Sequence, residues 1–344
     1  MKKLLITTLL LSAIFICCFA QNKHMVVFYN LENLFDTIND PDKNDEEFLP
    51  DGDKKWNTAK YQKKLGNMER VLFDIAAINK RFPAVIGVSE IENRLVLEDL
   101  IAQPKLSHGN YRIVHFDSPD RRGVDCAFFY RPNDFKYEGS AAVKLEIPGM
   151  PNFRTRDLVT MWGTIEDEPF YFVVSHWPSR LGGKERSAHL REAAAAACRH
   201  LADSVRAANP NVKVVVMGDL NDDATDDSVV ETLGGKGNIK KLNPGDMYNP
   251  FYDMLRAGHG TLAYRDAWNL FDNIVVSENL ATGSTGKLKL QRSEGSKFYG
   301  NIFSRPYMMQ REGQYKGYPL RSFVGSNFQA GFSDHLPVYI YIGK

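Results

Sequence analysis

Several apolar runs of this chain stop at a residue that could do chemistry. Val26–Tyr29 gives way to Asn30, with Glu32 two positions on. Ala84–Val88 ends in Ser89-Glu90, Phe172–Ser175 in His176, and Val214–Gly218 in Asp219-Leu220-Asn221. Ser333-Asp334-His335 introduces the last apolar run. Any one of these could be a turn residue at the edge of the core; together they form a set. It holds carboxylates (Glu90, Asp219, Asp334), amides (Asn30, Asn221) and histidines (His176, His335), without lysine or cysteine. Oxygen-rich donors suit a hard cation such as Mg²⁺ or Ca²⁺, whereas zinc would call for more His and Cys. Phosphoester hydrolysis needs charge neutralised on the phosphoryl oxygens and a positioned water. A histidine oriented by a carboxylate can serve as its base.

These residues need a rigid frame. Strands are expected at His24–Tyr29, Ala84–Val88, Tyr111–His115, Val124–Tyr130, Leu158–Ile165, Tyr171–Ser175, Val212–Met217, Asn273–Ser277 and Leu336–Ile342, all rich in Val, Ile, Phe and Tyr. Thr58–Asn79 carries Leu65, Met68, Val71, Leu72, Ile75 and Ile78 at helical spacing. Lys184–Ala208 contains an alanine run and reads as a second helix, and Leu95–Ile101 as a third. Strands outnumber helices, which predicts an α/β protein of two packed sheets with helices outside. Asp36–Asp53, acidic, and Ser304–Phe332, rich in Gly, Tyr and Arg, read as surface loops. The second leads into Asp334-His335, so its Arg305, Tyr307, Arg311, Tyr315, Lys316, Tyr318 and Arg321 could form a polyanion-binding lip or pack on the scaffold.

The 344 residues, 43% apolar and 25% charged, describe a globular chain and exclude disordered and collagen-like classes. Residues 1–20 read as an export signal: Met1-Lys2-Lys3, an uncharged run from Leu4 to Ala20, and a small-residue end. Cys17 and Cys18 raise lipid attachment, but Ile16 and Cys17 precede them where small residues are expected. Loss of the signal removes two of 43 basic residues and none of the 42 acidic ones, leaving a net charge of −1. No global field would recruit nucleic acid, so any basic site must be local. Residues 21–344 show no repeat or linker and are expected to form one domain, a periplasmic or secreted monomer with no membrane span. Cys126 and Cys198 are expected to be buried thiols.

The ordered motifs resemble the endonuclease/exonuclease/phosphatase superfamily. They are Tyr29-Asn30-Leu31-Glu32-Asn33-Leu34-Phe35, Val85–Asn93, Val174-Ser175-His176-Trp177, Gly218-Asp219-Leu220-Asn221, Phe271–Ser277 and Ser333-Asp334-His335-Leu336-Pro337-Val338. Ser89 stands where relatives usually carry Gln, and Asn273 where many carry His or Tyr. The resemblance implies a four-layer α/β/β/α sandwich of two mixed, mainly antiparallel sheets flanked by helices. It implies that Glu90, helped by Asn30 and Asp334, holds a divalent ion, Mg²⁺ with Mn²⁺ or Ca²⁺ as alternatives. His335, oriented by Asp272, would be the base or charge stabiliser, and Asp219 would orient or activate the water. Asn221 and His176 would bind the scissile phosphate, with Arg156 as a basic contact. The Gly-flanked basic loop from His176 to Lys184 departs from the family pattern, and its Arg180 could grip a substrate phosphate or belong to a solvated turn before the helix. Glu32 sits where some relatives have a second metal-site acid, and Glu92 competes with Glu90 as ligand. A nuclease acting on DNA or RNA is expected; a phosphatase or phosphodiesterase on an inositol, sugar or lipid phosphate is the alternative.

Overall fold

The computed structural model describes residues 23–344, so the expected signal segment lies outside the described residues. Most long strands are continuous apolar runs because both of their faces are covered. In the first sheet the order is β14 (Lys289–Gln291), β18 (Val338–Gly343), β1 (His24–Leu34), β2 (Val85–Ile91), β4 (Asp125–Tyr130) and β3 (Arg112–His115), with β15 (Gly300–Ile302) also on β18. The second runs β5 (Lys136–Val143), β6 (Leu158–Ile165), β7 (Glu168–His176), β8 (Lys213–Asp219), β13 (Asp272–Ser277), β10 (Met247–Tyr248) and β9 (Gly235–Lys236). Only β1–β2, β7–β8 and β9–β10 pair in parallel.

Alternation assigns the two faces of each strand. Val26 and Phe28 of β1 point between the sheets, with Phe128, Phe172, Met217, Ile274 and Ile340. Val27 and Tyr29 point outward and meet Leu65, Met68, Leu72 and Ile75 of α1 (Thr58–Asn79) and Leu97 of α2 (Arg94–Ile101). On the far side, Ala194, Ala195, Cys198 and Ala202 of α3 (Ala188–Ala208) cover Val173, Val214, Val216 and Val275. The result is the expected four-layer α/β/β/α sandwich. The sheets pack tightly at Gly87, where a Cβ would lie 2.5 Å from Met217 Sδ. Cys126 and Cys198 are buried and unpaired with each other, as expected.

The structure departs from expectation at the edges. β5 escaped notice because Lys136–Val143 is an exposed edge strand of polar and small residues, without the apolar alternation that marks a half-buried one. α3 starts four residues later than expected: 184–187 form turns, and the Lys184 carbonyl is bonded by the side chains of Ser187 and Arg191. β18 starts at Val338, after Pro337, which has no N–H for the ladder. Two small hairpins also appear, β11 (Leu262–Tyr264) with β12 (Ala267–Asn269), and β16 (Phe323–Val324) with β17 (Asn327–Phe328). No helix among the described residues is long and apolar enough to cross a membrane.

The 304–332 segment is pinned to α1. Lys64, 1% exposed, donates to Ser322 Oγ at 2.6 Å and Phe332 O at 2.7 Å, and lies 3.5 Å from Glu32. Asn67 donates to Gly331 O at 2.6 Å. Removing one partner of a buried ion pair costs about 3–5 kcal/mol. Lys64→Ala should therefore lower the thermal midpoint and loosen the 304–332 segment to protease; an unchanged midpoint would contradict this pinning.

Candidate active site

The C-terminal ends of β1, β2, β7 and β8, with the N-terminal end of β13 and the turn before β18, meet on one rim of the sandwich. β8 must end on Gly218-Asp219: a Cβ at 218 would fall 1.9 Å from the Ser175 carbonyl oxygen. Pairing then places His176 beside Asp219, and Asp219 beside Asp272. On the opposite sheet Glu90 is the extra residue of a bulge between Ser89 and Ile91. Its φ of 58° is left-handed, and Glu32, Asn33 and Asn221 nearby have φ of 48°, 52° and 49°. Four non-glycine residues in this sparsely populated region mark backbone held for a purpose other than regular pairing.

The side chains converge on Asp219. Asn30 Nδ2 donates to Asp219 Oδ2 at 3.0 Å and to Glu90 Oε1 at 3.2 Å. His176 Nε2 lies 3.5 Å from Asp219 Oδ2 and 3.9 Å from Glu90 Oε1. His335 Nε2 lies 3.7 Å from Asp219 Oδ2, while its Nδ1 is 2.8 Å from Asp272 Oδ2. Ser333 Oγ donates to Asn30 O at 2.8 Å and accepts from His335 N at 3.1 Å, tying the last turn to β1.

The two histidines are driven apart. Burial holds His176 well below the ordinary imidazole value, and the positive charges of Arg156 and Arg122 add to this. His335 is equally buried, which alone would lower it, but Asp272 and Asp219 outweigh burial and hold it well above that value. His176 is therefore neutral and His335 an imidazolium at neutral pH. Burial lifts Asp219 to about 6; the His335 charge opposes the rise and Asp272 adds to it.

Other expected site residues sit differently. Asp334 is turned to Arg321, 2.6 Å from its Nη2, and is partly exposed. Asn30 Oδ1 accepts from Glu32 N at 2.9 Å, so its amide N–H, not its oxygen, faces the carboxylates. Arg156 is buried and spends its guanidinium on the His176 and Trp177 carbonyls and Asp120; it braces the β7 end, where a direct phosphate contact was expected. Arg180 bonds Asn221 O and Asp226 and stacks 4.4 Å from the Phe271 ring centroid. Asn221 donates to Trp177 O at 2.9 Å. Glu32 is held by Ser322 N, Lys64 and Arg321, as an anchor of the 304–332 segment. Glu92 lies beyond the bulge and accepts from Asp36 N at 2.7 Å; burial raises it to about 8. It therefore does not compete with Glu90 as a ligand in this arrangement. Arg122 escaped the sequence reading. It lies in the charged turn Asp120-Arg121-Arg122-Gly123, held by Asp120, and its charge reaches His176.

The sequence from residue 25 to 344 matches the model of the Endonuclease/Exonuclease/phosphatase family. The chain belongs to that family. No curated protein matches it by sequence. Among similar solved structures is D. rerio TDP2 complexed with a single-strand DNA product, 15% identical over 94% of this chain and 100% of that one, TM-score 0.55. The human nocturnin catalytic domain with bound sulfate is 15% identical over 94% and 95%, TM-score 0.53. A Bacteroides thetaiotaomicron mannosyl-6-phosphatase is 17% identical over 93% and 100%, TM-score 0.54. At these identities the likeness is one of fold.

Members of the family are metal-dependent phosphoester hydrolases, and this chain is an enzyme of that class. The site fits a divalent ion: Glu90, Asp219 and His176 offer ligand atoms all within 4.8 Å of one another. Two of the three are carboxylates, a donor set that accepts hard and borderline cations. The buried Nδ1 of His176 and Oγ of Ser89 have no hydrogen-bond partner.

A histidine NMR titration of the metal-free protein should show His176 neutral and His335 protonated at pH 7. The stabilisation from the His335–Asp272 pair is fully present below about pH 6.5 and is lost as pH rises through the higher folded value. Asp272→Asn should bring the His335 transition down. Two histidines titrating together near 6.5 would contradict these charge assignments.

Proposed function

We propose that this is an exported, monomeric, single-domain metal-dependent phosphodiesterase, residues 21–344, that cleaves DNA or RNA. The observation that carries the substrate reading is a cleft of about 1130 Å³ that runs outward from Asp334 between the 180–184 turn, the β11–β12 hairpin and the 310–324 segment. That lies at the upper end of the roughly 300–1,000 Å³ of small-ligand pockets, and the cleft reaches the catalytic turn at Asp334. Arg180, Lys184, Arg265 and Arg321 border it, supplying locally the positive charge that the whole chain lacks.

In this reading Glu90 and Asp219 would hold the ion, with His176, Asn30 and Asp334 at its margin; Mg²⁺ is the expected ion, and Mn²⁺ and Ca²⁺ are alternatives. When bound, it supplies neutralising charge to the phosphoryl oxygens. Asp219 would orient the attacking water and take its proton as oxygen–phosphorus bonding develops. The His335 imidazolium, fixed by Asp272, stabilises the charge that accumulates on the phosphoryl group. His176 and Asn221 position the phosphate, with Arg122 and Arg180 as flanking cations. The ester P–O bond breaks, the leaving oxygen takes a proton from solvent water, and Asp219 returns to solvent the proton it took from the attacking water.

One observation favours the second reading, a sugar, inositol or lipid phosphate. Arg180 and Lys184 are clamped by Asp222, Asp223 and Asp226, which mutes the positive charge of that wall. The purified mature chain with Mg²⁺ should convert supercoiled plasmid or RNA to shorter products faster than it releases phosphate from inositol or sugar phosphates. Asp219→Ala and His335→Ala should each lower the rate by about 10²–10⁴. An intact plasmid and intact RNA after long incubation would overturn the nuclease reading, and full activity in either variant would overturn the mechanism.

A further inference from the structure

The β11–β12 hairpin contributes nothing to either sheet core. It projects Tyr264, 62% exposed, and Trp268, 38% exposed. The same cleft is lined by Tyr315, 38% exposed, with Tyr318 beside it at 5.7 Å between ring centroids. Exposed large apolar side chains are few among the described residues, and Tyr264, Tyr315 and Leu181 all line this one cleft. Single exposed aromatics need no explanation, but two that line one cavity do.

The hairpin is also held in place. Its turn residues Arg265 and Asp266 have φ of 49° and 62°, the left-handed geometry for which Asn-Gly is preferred. This unfavourable turn is fixed by a residue from the 304–332 segment: Tyr318 Oη donates to Asp266 Oδ1 at 2.7 Å and accepts from Asp266 N at 2.6 Å. At its base, Leu336 N donates to Thr261 O at 2.8 Å, joining the hairpin to the residue that follows His335. The Arg265 guanidinium lies 5.2 Å from the Tyr264 ring centroid. A strained, cross-tethered hairpin that presents an aromatic face and a guanidinium beside the catalytic turn is built as a binding wall.

Resting on the nuclease reading above, we propose that this cleft binds an unpaired nucleic-acid strand, stacking bases on Tyr264 and Tyr315 while Arg265 and Arg321 hold the backbone. Aromatic faces combined with cations are the means by which proteins grip single strands without regard to sequence. In a duplex the bases face one another and the stack is closed to side chains. A strand whose bases are unpaired can offer them to the exposed faces of both tyrosines.

The test uses the full mature chain with Mg²⁺ and fluorescent phosphorothioate oligothymidylate, which resists hydrolysis, read by anisotropy. The single strand should bind at least about tenfold more tightly than its duplex with oligoadenylate. Tyr264→Ala and Tyr315→Ala should each weaken single-strand binding about fivefold or more. Tyr264→Phe, which keeps the ring, should bind like wild type. Tyr137, exposed on edge strand β5, is the control: Tyr137→Ala should bind like wild type. Equal affinity for strand and duplex, or unchanged affinity in folded Tyr264→Ala and Tyr315→Ala, would overturn the proposal. So would displacement by inositol or sugar phosphates with no strand binding. Hydrolysis of bis(p-nitrophenyl) phosphate by the wild type separates the two levels. Turnover without strand binding removes only the cleft proposal, whereas no turnover removes the phosphodiesterase reading beneath it.

Discussion

Negative charge held out of water at the meeting of the two sheets is the constraint on which the rest of this structure depends. Glu90, Asp219 and Asp272 are drawn to one small volume, and Asp219 and Asp272 are almost fully buried. Burying a carboxylate is costly unless donors or opposite charge offset it. Here the offsets are one imidazolium, His335, and the amide of Asn30, which donates to both Glu90 and Asp219. Asn33 N and Asn221 N add backbone donors to Glu90 and Asp219. A divalent cation completes the balance, which is why a site of this composition belongs to metal chemistry.

Much of the local backbone follows from that demand. The bulge at Glu90 departs from ladder geometry and brings the carboxylate to the rim. The left-handed residues at Glu32, Asn33 and Asn221 turn the chain where β1 and β8 leave their sheets. Arg156 fixes the carbonyls behind His176, and Asp120 fixes Arg156. These bonds position the site from behind, and α1 steadies its far side through Lys64 and Glu32.

The fold was largely legible because its central strands are continuous runs of Val, Ile, Phe and Tyr, each stopped by a polar residue. The same stops named the residues that the structure gathers around Asp219. Roles that depend on tertiary neighbours were not legible. Nothing local shows that Arg156 would be consumed by carbonyls, that Asp334 would face Arg321, or that Glu32 would be neutralised by a lysine from α1. Tyr307 and Tyr318 shared one aromatic-rich loop in the sequence; in the structure Tyr307 bonds Asp74 of α1 while Tyr318 faces the cleft. The sign of the His335 charge was similarly hidden, because it is the balance of burial against two carboxylates from different strands. The β11–β12 hairpin went unnoticed because its strands are three residues each and half exposed.

The central claim is that this carboxylate cluster is completed by a divalent cation, and the most direct measurement is thermal denaturation of the full mature chain titrated with Mg²⁺ or Mn²⁺. Ligand that binds only the folded state adds about 2.7 kcal/mol at 100 times its Kd. The account predicts a midpoint that climbs with ion concentration, returns on chelation, and no longer responds in Glu90→Gln. A wild-type midpoint indifferent to both ions, or a Glu90→Gln protein that keeps the full response, would contradict it.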